Sequence, residues 1–219
     1  MKINIKSAIV PDSQAWIYEY FGIPCACPKA INKSIAEASK TGEKIDVYIN
    51  SPGGETSAGA EIYEALREYG NVAIHVIYAC SAASVIMCAG YCDITPVGLV
   101  MIHNARTCAD GDNRDLSHVS DVLKTIDRTI AAAYTAKTGK TEAEFLEYMA
   151  AETWLTAEDA VKLGLCDAIS QPKKTATTIP AMVACETSLL PQTVIDSMQE
   201  KRMVAISELN LLKLKTKEI

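Results

Sequence analysis

The sequence is poor in the residues that would commit it to nucleic acid, to a metal or to a membrane. Lys and Arg number 21 against 27 Asp and Glu, a net charge of −6, and no basic cluster supplies the positive face that a phosphate backbone needs. Glycine-rich phosphate cradles and dinucleotide fingerprints are missing. Histidine occurs three times only, and the cysteines form no C-x-x-C pair; Cys25-Ala-Cys27 stands alone as a poor zinc half-site. No metal and no organic cofactor is expected. Between Asn71 and Cys92 no Asp, Glu, Lys or Arg appears, a run of the length of a spanning helix. Its first part, Val72 to Tyr78, is β-branched and aromatic, and its middle, Ala79 to Ser84, is small and weakly apolar. Such a run reads as buried strand, tight turn and buried helix, not as a membrane span. No signal-peptide pattern is recognised, so the eight cysteines read as reduced, small buried hydrophobes of a cytoplasmic protein.

What is present is an ordinary globule, 49% apolar and 22% charged over 219 residues, enough for one sizeable domain with an appendage. Strand patterns at Ile3–Val10, Lys44–Ile49, Val72–Tyr78 and Leu99–Ile102 alternate with helix patterns at Ala30–Lys40, Ser57–Tyr69, Ser84–Ala89 and about Leu116–Thr138. Pro11 to Pro28 reads as irregular, punctuated by Gly22, Pro24 and Pro28. Thr141-Glu-Ala-Glu144 and Thr156-Ala-Glu-Asp159 have the form of capping boxes before two further helices. This alternation predicts an α/β fold with largely parallel strands. Residues 1–170 form the predicted domain, 171–180 a Lys/Thr/Pro-rich linker, and 181–219 a C-terminal segment. Within that segment Pro191 to Leu214 fits an amphipathic helix bearing Val194, Ile195, Met198, Ile206, Leu209 and Leu212.

Chemistry concentrates at three breaks. Ser84 lies where a strand turns into an apolar helix, a place where backbone N–H groups lack helical partners and can hold an oxyanion. Ser81 competes with it, but Ser84 is favoured because an unbroken apolar helix follows directly. Taken alone, either serine is more readily explained as a helix cap. Asn50-Ser-Pro-Gly-Gly54 ends another strand; its paired glycines, Gly53 and Gly54, would let a peptide lie alongside and point an N–H at its carbonyl. His103 stands at the mouth of Val100-Met-Ile102, where α/β folds place their sites, whereas His75 reads as a satisfied core residue and His118 as part of a solvated face. A serine hydroxyl needs such a base. Among Asp93, Asp110, Asp112 and Glu152, spacing does not choose the carboxylate that would orient it.

In combination, Ile49-Asn-Ser-Pro-Gly-Gly54, Ala82-Ala-Ser84, Met101-Ile-His103 and Trp154-Leu-Thr-Ala157…Leu163-Gly-Leu…Asp167 resemble the proteolytic subunit of Clp protease, in order, from about Lys44 to Ile169. The resemblance implies a crotonase-like stack of parallel strand turns with a projecting handle helix over Thr107–Thr138. It implies a serine endopeptidase with Ser84 as nucleophile, His103 as base, Glu152 in place of the usual Asp, and the N–H groups of Gly54 and Val85 as oxyanion hole. It also implies a homo-oligomeric ring acting on protein or peptide substrates. The stretch from Ser84 to His103 is shorter than in housekeeping relatives, and a matching segment for engaging an ATPase unfoldase is lacking before Lys44. With the Glu and the added C-terminal segment, these departures resemble the Clp-related head maturation proteases of phages and prophages, which trim scaffold or capsid protein in the bacterial host cytoplasm or procapsid. The alternatives are a housekeeping or auxiliary peptidase working with an ATPase, a non-catalytic ring subunit, and a crotonase-type acyl-CoA enzyme, for which a Ser–His pair is unnecessary.

Overall fold

A computed structural model describes residues 1–171 and 190–215, except for the side chains of 192 and 205–215. The chain builds a seven-stranded sheet from β1 (Lys2–Ile9), β2 (Cys25–Ala26), β3 (Ile45–Gly54), β4 (Val72–Cys80), β5 (Tyr91–Ile102), β6 (Thr153–Thr156) and β7 (Ala168–Ile169). Strand order is β2-β1-β3-β4-β5-β6, with β7 also paired to β5. Every pairing is parallel except β5 with β6. This is the α/β architecture expected of a Clp-like chain, and one face of the central strands is continuously apolar: Ile5, Val47, Ile49, Ile74, Val76 and Ile94 are fully buried, as crossover helices require.

Those helices are α1 (Asp12–Tyr20), α2 (Pro28–Ser39), α3 (Thr56–Tyr69), α4 (Ala82–Ile86), α5 (Asn113–Thr138), α6 (Glu142–Ala150), α7 (Ala157–Leu163) and α8 (Gln192–Lys215). Their ends follow the local chemistry. Glu55 caps α3 by accepting from the Ala58 N–H at 2.7 Å, and Gly70 closes it in the left-handed region at φ 72°, which glycine adopts at no steric cost. Thr141 with Glu144 forms the expected capping box; at Thr156 the hydroxyl accepts from the Asp159 N–H. The segment 11–28 is a correction, because it holds α1 and β2. Pro11 in the N-cap position and Asp12 in the first turn start the helix, and Gly22, Pro24 and Pro28 mark only the turns around β2.

The expected handle is the 26-residue α5. Its base is built into the core through Ala131, Ala133 and Tyr134, while Leu116 and Val122 nearer its start are 47% and 43% exposed. The expected stripe Val119, Leu123, Ile126 and Ile130 is accordingly half-buried. The expected C-terminal helix is α8, and it docks on α1. Ile195 is buried, the Leu190 N–H donates to Tyr18 Oη at 3.2 Å, and the Arg202 guanidinium lies 4.9 Å from the Trp16 ring centre. The expected linker 171–180 lies outside the described residues apart from Gln171, as do the side chains of Ile206, Leu209 and Leu212. No described helix is long and apolar enough to cross a membrane. Seven of the cysteines are free thiols, including Cys92 and Cys166, whose sulfurs lie 3.8 Å apart.

Phe145 of α6 is fully buried, with its ring centre 5.3 Å from that of Tyr134. Phe145→Ala is expected to cost about 3–5 kcal/mol, read as a lowered denaturant midpoint at unchanged slope.

Candidate functional site

The site is a product of register. Parallel strands β1, β3, β4 and β5 finish side by side: Ile9 pairs Gly54, Ser51 pairs Ala79, and Cys80 pairs Met101. Ser81 leaves β4 with its N–H donated to the Met101 carbonyl at 2.9 Å, and His103 follows two residues after Met101. The antiparallel β6 places Thr153 opposite Ile102, which brings Glu152 to the same edge. The glycines, the serine turn, the histidine and the glutamate expected from the sequence are therefore gathered at the carboxyl ends of the strands, where open α/β sheets bind their ligands.

The turn comes earlier than the sequence led us to expect. The helix starts at Ala82, not Ser84, so Ser81 is the turn residue. Its backbone sits at φ 55°, ψ −127°, a conformation that costs a non-glycine residue about 1–3 kcal/mol and persists only where its surroundings dictate it. Gly53 and Gly59 supply part of those surroundings. A Cβ on Gly53 would stand 2.6 Å from the Cys80 carbonyl oxygen, 2.7 Å from Ser81 Cβ and 3.0 Å from the Ala82 nitrogen; one on Gly59 would meet Ala82 Cβ at 2.9 Å. The Ser81 side is half-buried. Ser84, the expected nucleophile, is completely buried. Its hydroxyl donates to the Ser81 carbonyl at 2.5 Å and lies 2.7 Å from Tyr134 Oη. So bonded, the Ser84 hydroxyl rests between the turn and α5, and Val85 follows it as the fourth residue of the helix. The N–H that follows the turn residue is that of Ala82.

His103 is half-buried, and its Nδ1 is enclosed without a hydrogen-bond partner. Among the described residues no hydrogen bond joins it to a serine or a carboxylate. Desolvation is the largest influence on its pKa and lowers it; the Arg106 cation lowers it further, and Glu152 and Asp127 pull the other way. The imidazole is thus neutral at neutral pH, the state in which it can accept a proton. Of the four carboxylates left open by the sequence, Asp93 is bound to His75 Nδ1 at 2.9 Å, Asp112 caps α5, and Asp110 lies exposed in the preceding loop. Glu152 alone of the four acts on His103, yet its carboxylate is paired with Arg106. Sequence reasoning did not find Asp127. Its carboxylate is buried on α5 and accepts the Ala105 N–H at 2.7 Å, pinning the loop after His103; a lone Asp inside an amphipathic helix gives no signal of such a role.

Beside this edge lies a cavity of about 730 Å³ that borders the site through Gly54 and Arg106 and is walled by Ile9, Val10, Val122 and Ile126. No group of three or more His, Cys, Asp or Glu among the described residues could hold a metal ion.

Comparison with known proteins gives a match to the Clp protease family over residues 31–173. The chain is 29% identical over 135 residues to the ATP-dependent Clp protease proteolytic subunit of Pleurastrum terricola, covering 58% of this chain and 67% of that one. It is 29% identical over 132 residues to the ATP-dependent Clp protease proteolytic subunit 2 of Tropheryma whipplei (strain Twist), covering 58% and 73% respectively.

The pKa of His103 is expected to lie below the ordinary histidine value of about 6.5, as followed by NMR against His103→Gln. Removing the cation in Arg106→Ala should move it upward, since burial is then the only depressing influence left and Glu152 is released to oppose it. An unchanged or lower value would show that Arg106 exerts no field on the ring.

Proposed function

Because the chain belongs to the Clp protease family, we propose that it is a serine peptidase in which Ser84 is the nucleophile, His103 the general base and Glu152 the carboxylate that orients it. The observation that carries the reading is the strained turn at Ser81 at the end of β4, which sets the Ala82-Ala-Ser84 run beside the strand end that bears His103. A strand-to-helix turn of this kind brings a serine and free helical N–H groups to one reacting carbonyl.

In the cycle, Ser84 Oγ exchanges its resting partners, the Ser81 carbonyl and Tyr134, for neutral His103, which takes its proton as Oγ bonds to the peptide carbonyl carbon. The oxyanion is held by the N–H groups of Val85 and Gly54, which stabilise charge only where it develops. Collapse breaks the C–N bond, and the amine leaves with the proton from His103. Water, deprotonated by the same imidazole, then hydrolyses the acyl-enzyme and restores Ser84. Glu152 enters by exchanging Arg106 for the unpartnered Nδ1–H of His103, which fixes the tautomer with Nε2 free to accept. No metal or organic cofactor takes part. The cavity walled by Ile9, Val10, Val122 and Ile126 suits an extended peptide with apolar side chains, with Gly53 and Gly54 leaving the backbone bare beside it.

The finer reading is a phage or prophage head maturation protease, acting as a homo-oligomeric ring on scaffold or capsid protein. The Glu at position 152, the short stretch leading to His103 and the C-terminal segment with α8 support it. Two relatives are named as subunits of an ATP-dependent protease, so the competing substrate reading is cytoplasmic protein delivered by an ATPase. A non-catalytic ring subunit is the second reading, favoured by one observation, the absence among the described residues of any hydrogen bond from His103 to a serine or carboxylate.

Intact-mass analysis after fluorophosphonate treatment tests the assignment. One adduct per chain is expected, mapping to Ser84 and lost in Ser84→Ala and His103→Ala, with Glu152→Gln slowed strongly at an unchanged unfolding midpoint. Wild-type chain that stays unlabelled as an assembled oligomer would establish the non-catalytic reading, and a near-normal rate for Glu152→Gln would remove Glu152 from the mechanism. Specific cleavage of a co-expressed scaffold or coat protein separates head maturation from unfoldase-dependent degradation, which would instead appear as stable binding to the ATPase.

A further inference from the structure

The family match ends at residue 173, yet the chain beyond it reaches the cavity beside the site. Leu190 and Ile195 wall that cavity together with Val122 and Ile126 of α5, and Gly54 and Arg106 border it. The segment that carries Leu190 and Ile195 is held in place at several points. Leu190 packs against the small core cluster of Ala8, Val10 and Tyr18, and its N–H donates to Tyr18 Oη at 3.2 Å across 172 positions. Tyr18 is fully buried, and a buried phenol usually finds a hydrogen-bonding partner; here that partner is the backbone returning from the far end of the sequence. The Val194 and Ile195 N–H groups both donate to the Pro191 carbonyl, at 2.9 and 3.2 Å, which closes the first turn of α8 beside the cavity. Ile195 is 4% exposed, and farther along the Arg202 guanidinium over the Trp16 ring ties the helix to α1.

We infer that the start of α8 belongs to the substrate site, where Leu190 and Ile195 are specificity-determining residues that select a peptide with a large aliphatic side chain near the scissile bond. The inference rests on the peptidase reading with Ser84 as nucleophile. Gly54 links the two, because its N–H is an oxyanion donor in that reading and the residue borders the cavity. A peptide whose carbonyl reaches that N–H has its neighbouring side chains within reach of the cavity. The apolar side chains of Leu190, Ile195, Val122 and Ile126 offer no hydrogen-bonding partner, so a charged or amide side chain entering among them would lose its water uncompensated. An aliphatic side chain gains from the same burial. A helix docked only to complete the fold would cover Tyr18 whatever the size of residue 190, and would leave the choice of peptide unchanged.

The test uses the full chain, as wild type, Leu190→Ala and Leu190→Trp, and reads the rate at which dipeptidyl phosphonate diesters label the serine. The probes carry an Ala, Leu or Trp side chain at the residue next to the reacting phosphorus or at the one before it. At one of these positions the wild type should label about 10-fold faster with Leu than with Ala or Trp, on the scale by which an apolar pocket discriminates size. Leu190→Ala should move the Trp-to-Leu ratio upward about 10-fold, and Leu190→Trp should move the Ala-to-Leu ratio upward by a similar factor. Each ratio is taken on one preparation, so a partly unfolded fraction cancels. Wild-type ratios in both variants, at both probe positions, would overturn the inference and leave Ser84 as nucleophile. Wild-type chain labelled by a simple fluorophosphonate but by none of the peptidyl probes would overturn it too. Should Leu190→Trp fail to fold, Leu190→Ala decides alone. Wild-type chain that no fluorophosphonate labels would overturn the peptidase reading, and the pocket with it.

Discussion

The turn at Ser81 is the constraint around which this edge of the molecule is arranged. A chain leaving a central parallel strand normally continues in extended or helical backbone; here it passes through φ 55°, ψ −127° at a residue with a side chain. Strain of that kind has to be held from several directions. Register supplies one, through the Ser81 N–H on the Met101 carbonyl. Space supplies another, because the backbones of Gly53 and Gly59 come closer to residues 80–82 than any Cβ would allow. Hydrogen bonding from Ser84 supplies the third. Much of the Ser-Pro-Gly-Gly sequence, which looks like a generic turn, is explained by what must fit against it.

The electrostatics of the edge are equally a matter of position. His103 stands between one cation and two carboxylates, and burial decides the sign of its shift before any of them acts. Arg106 has a double effect. It adds to the depression of the imidazole directly and occupies the Glu152 carboxylate that would offset it. Nδ1 of His103 is enclosed and unbonded, a cost that buried polar groups ordinarily avoid.

The sheet and its helices were legible in the sequence because their signals are local and repeated. Alternation over Lys44–Ile49, the β-branched run Val72–Tyr78 and the Thr141 and Thr156 caps each correspond to elements within a few residues. His103 and the glycine pair were legible for a similar reason, since a strand end is a strand end in sequence and in space. What failed was the boundary of α4. Ala82 and Ala83 are as compatible with a loop as with a first helical turn, and the apolar run that marks a helix begins only at Val85, so the sequence put the start of the helix at Ser84. The structure starts it at Ala82 because α3 packs Gly59 against that residue, a contact across 23 positions that no local pattern carries. The α1 segment was hidden differently: three turn residues around β2 outweighed the single acidic first-turn residue that announces the helix.

That boundary of two residues changes the meaning of both serines. With the helix starting at Ser84, Ser84 would be the exposed cap and Ser81 a spacer; with it starting at Ala82, Ser84 becomes the third residue of the helix, facing inward to a phenol. Small residues make the distinction invisible to composition, since Ser-Ala-Ala-Ser reads the same from either end. Burial does not. Tyr134 lies 1% exposed on the part of α5 that is built into the core, and a buried phenol usually finds a hydrogen-bonding partner. Within reach of its hydroxyl the fold provides Ser84. The resting place of Ser84 is thus explained by the tyrosine, and the backbone of Ser81 by what packs against the turn.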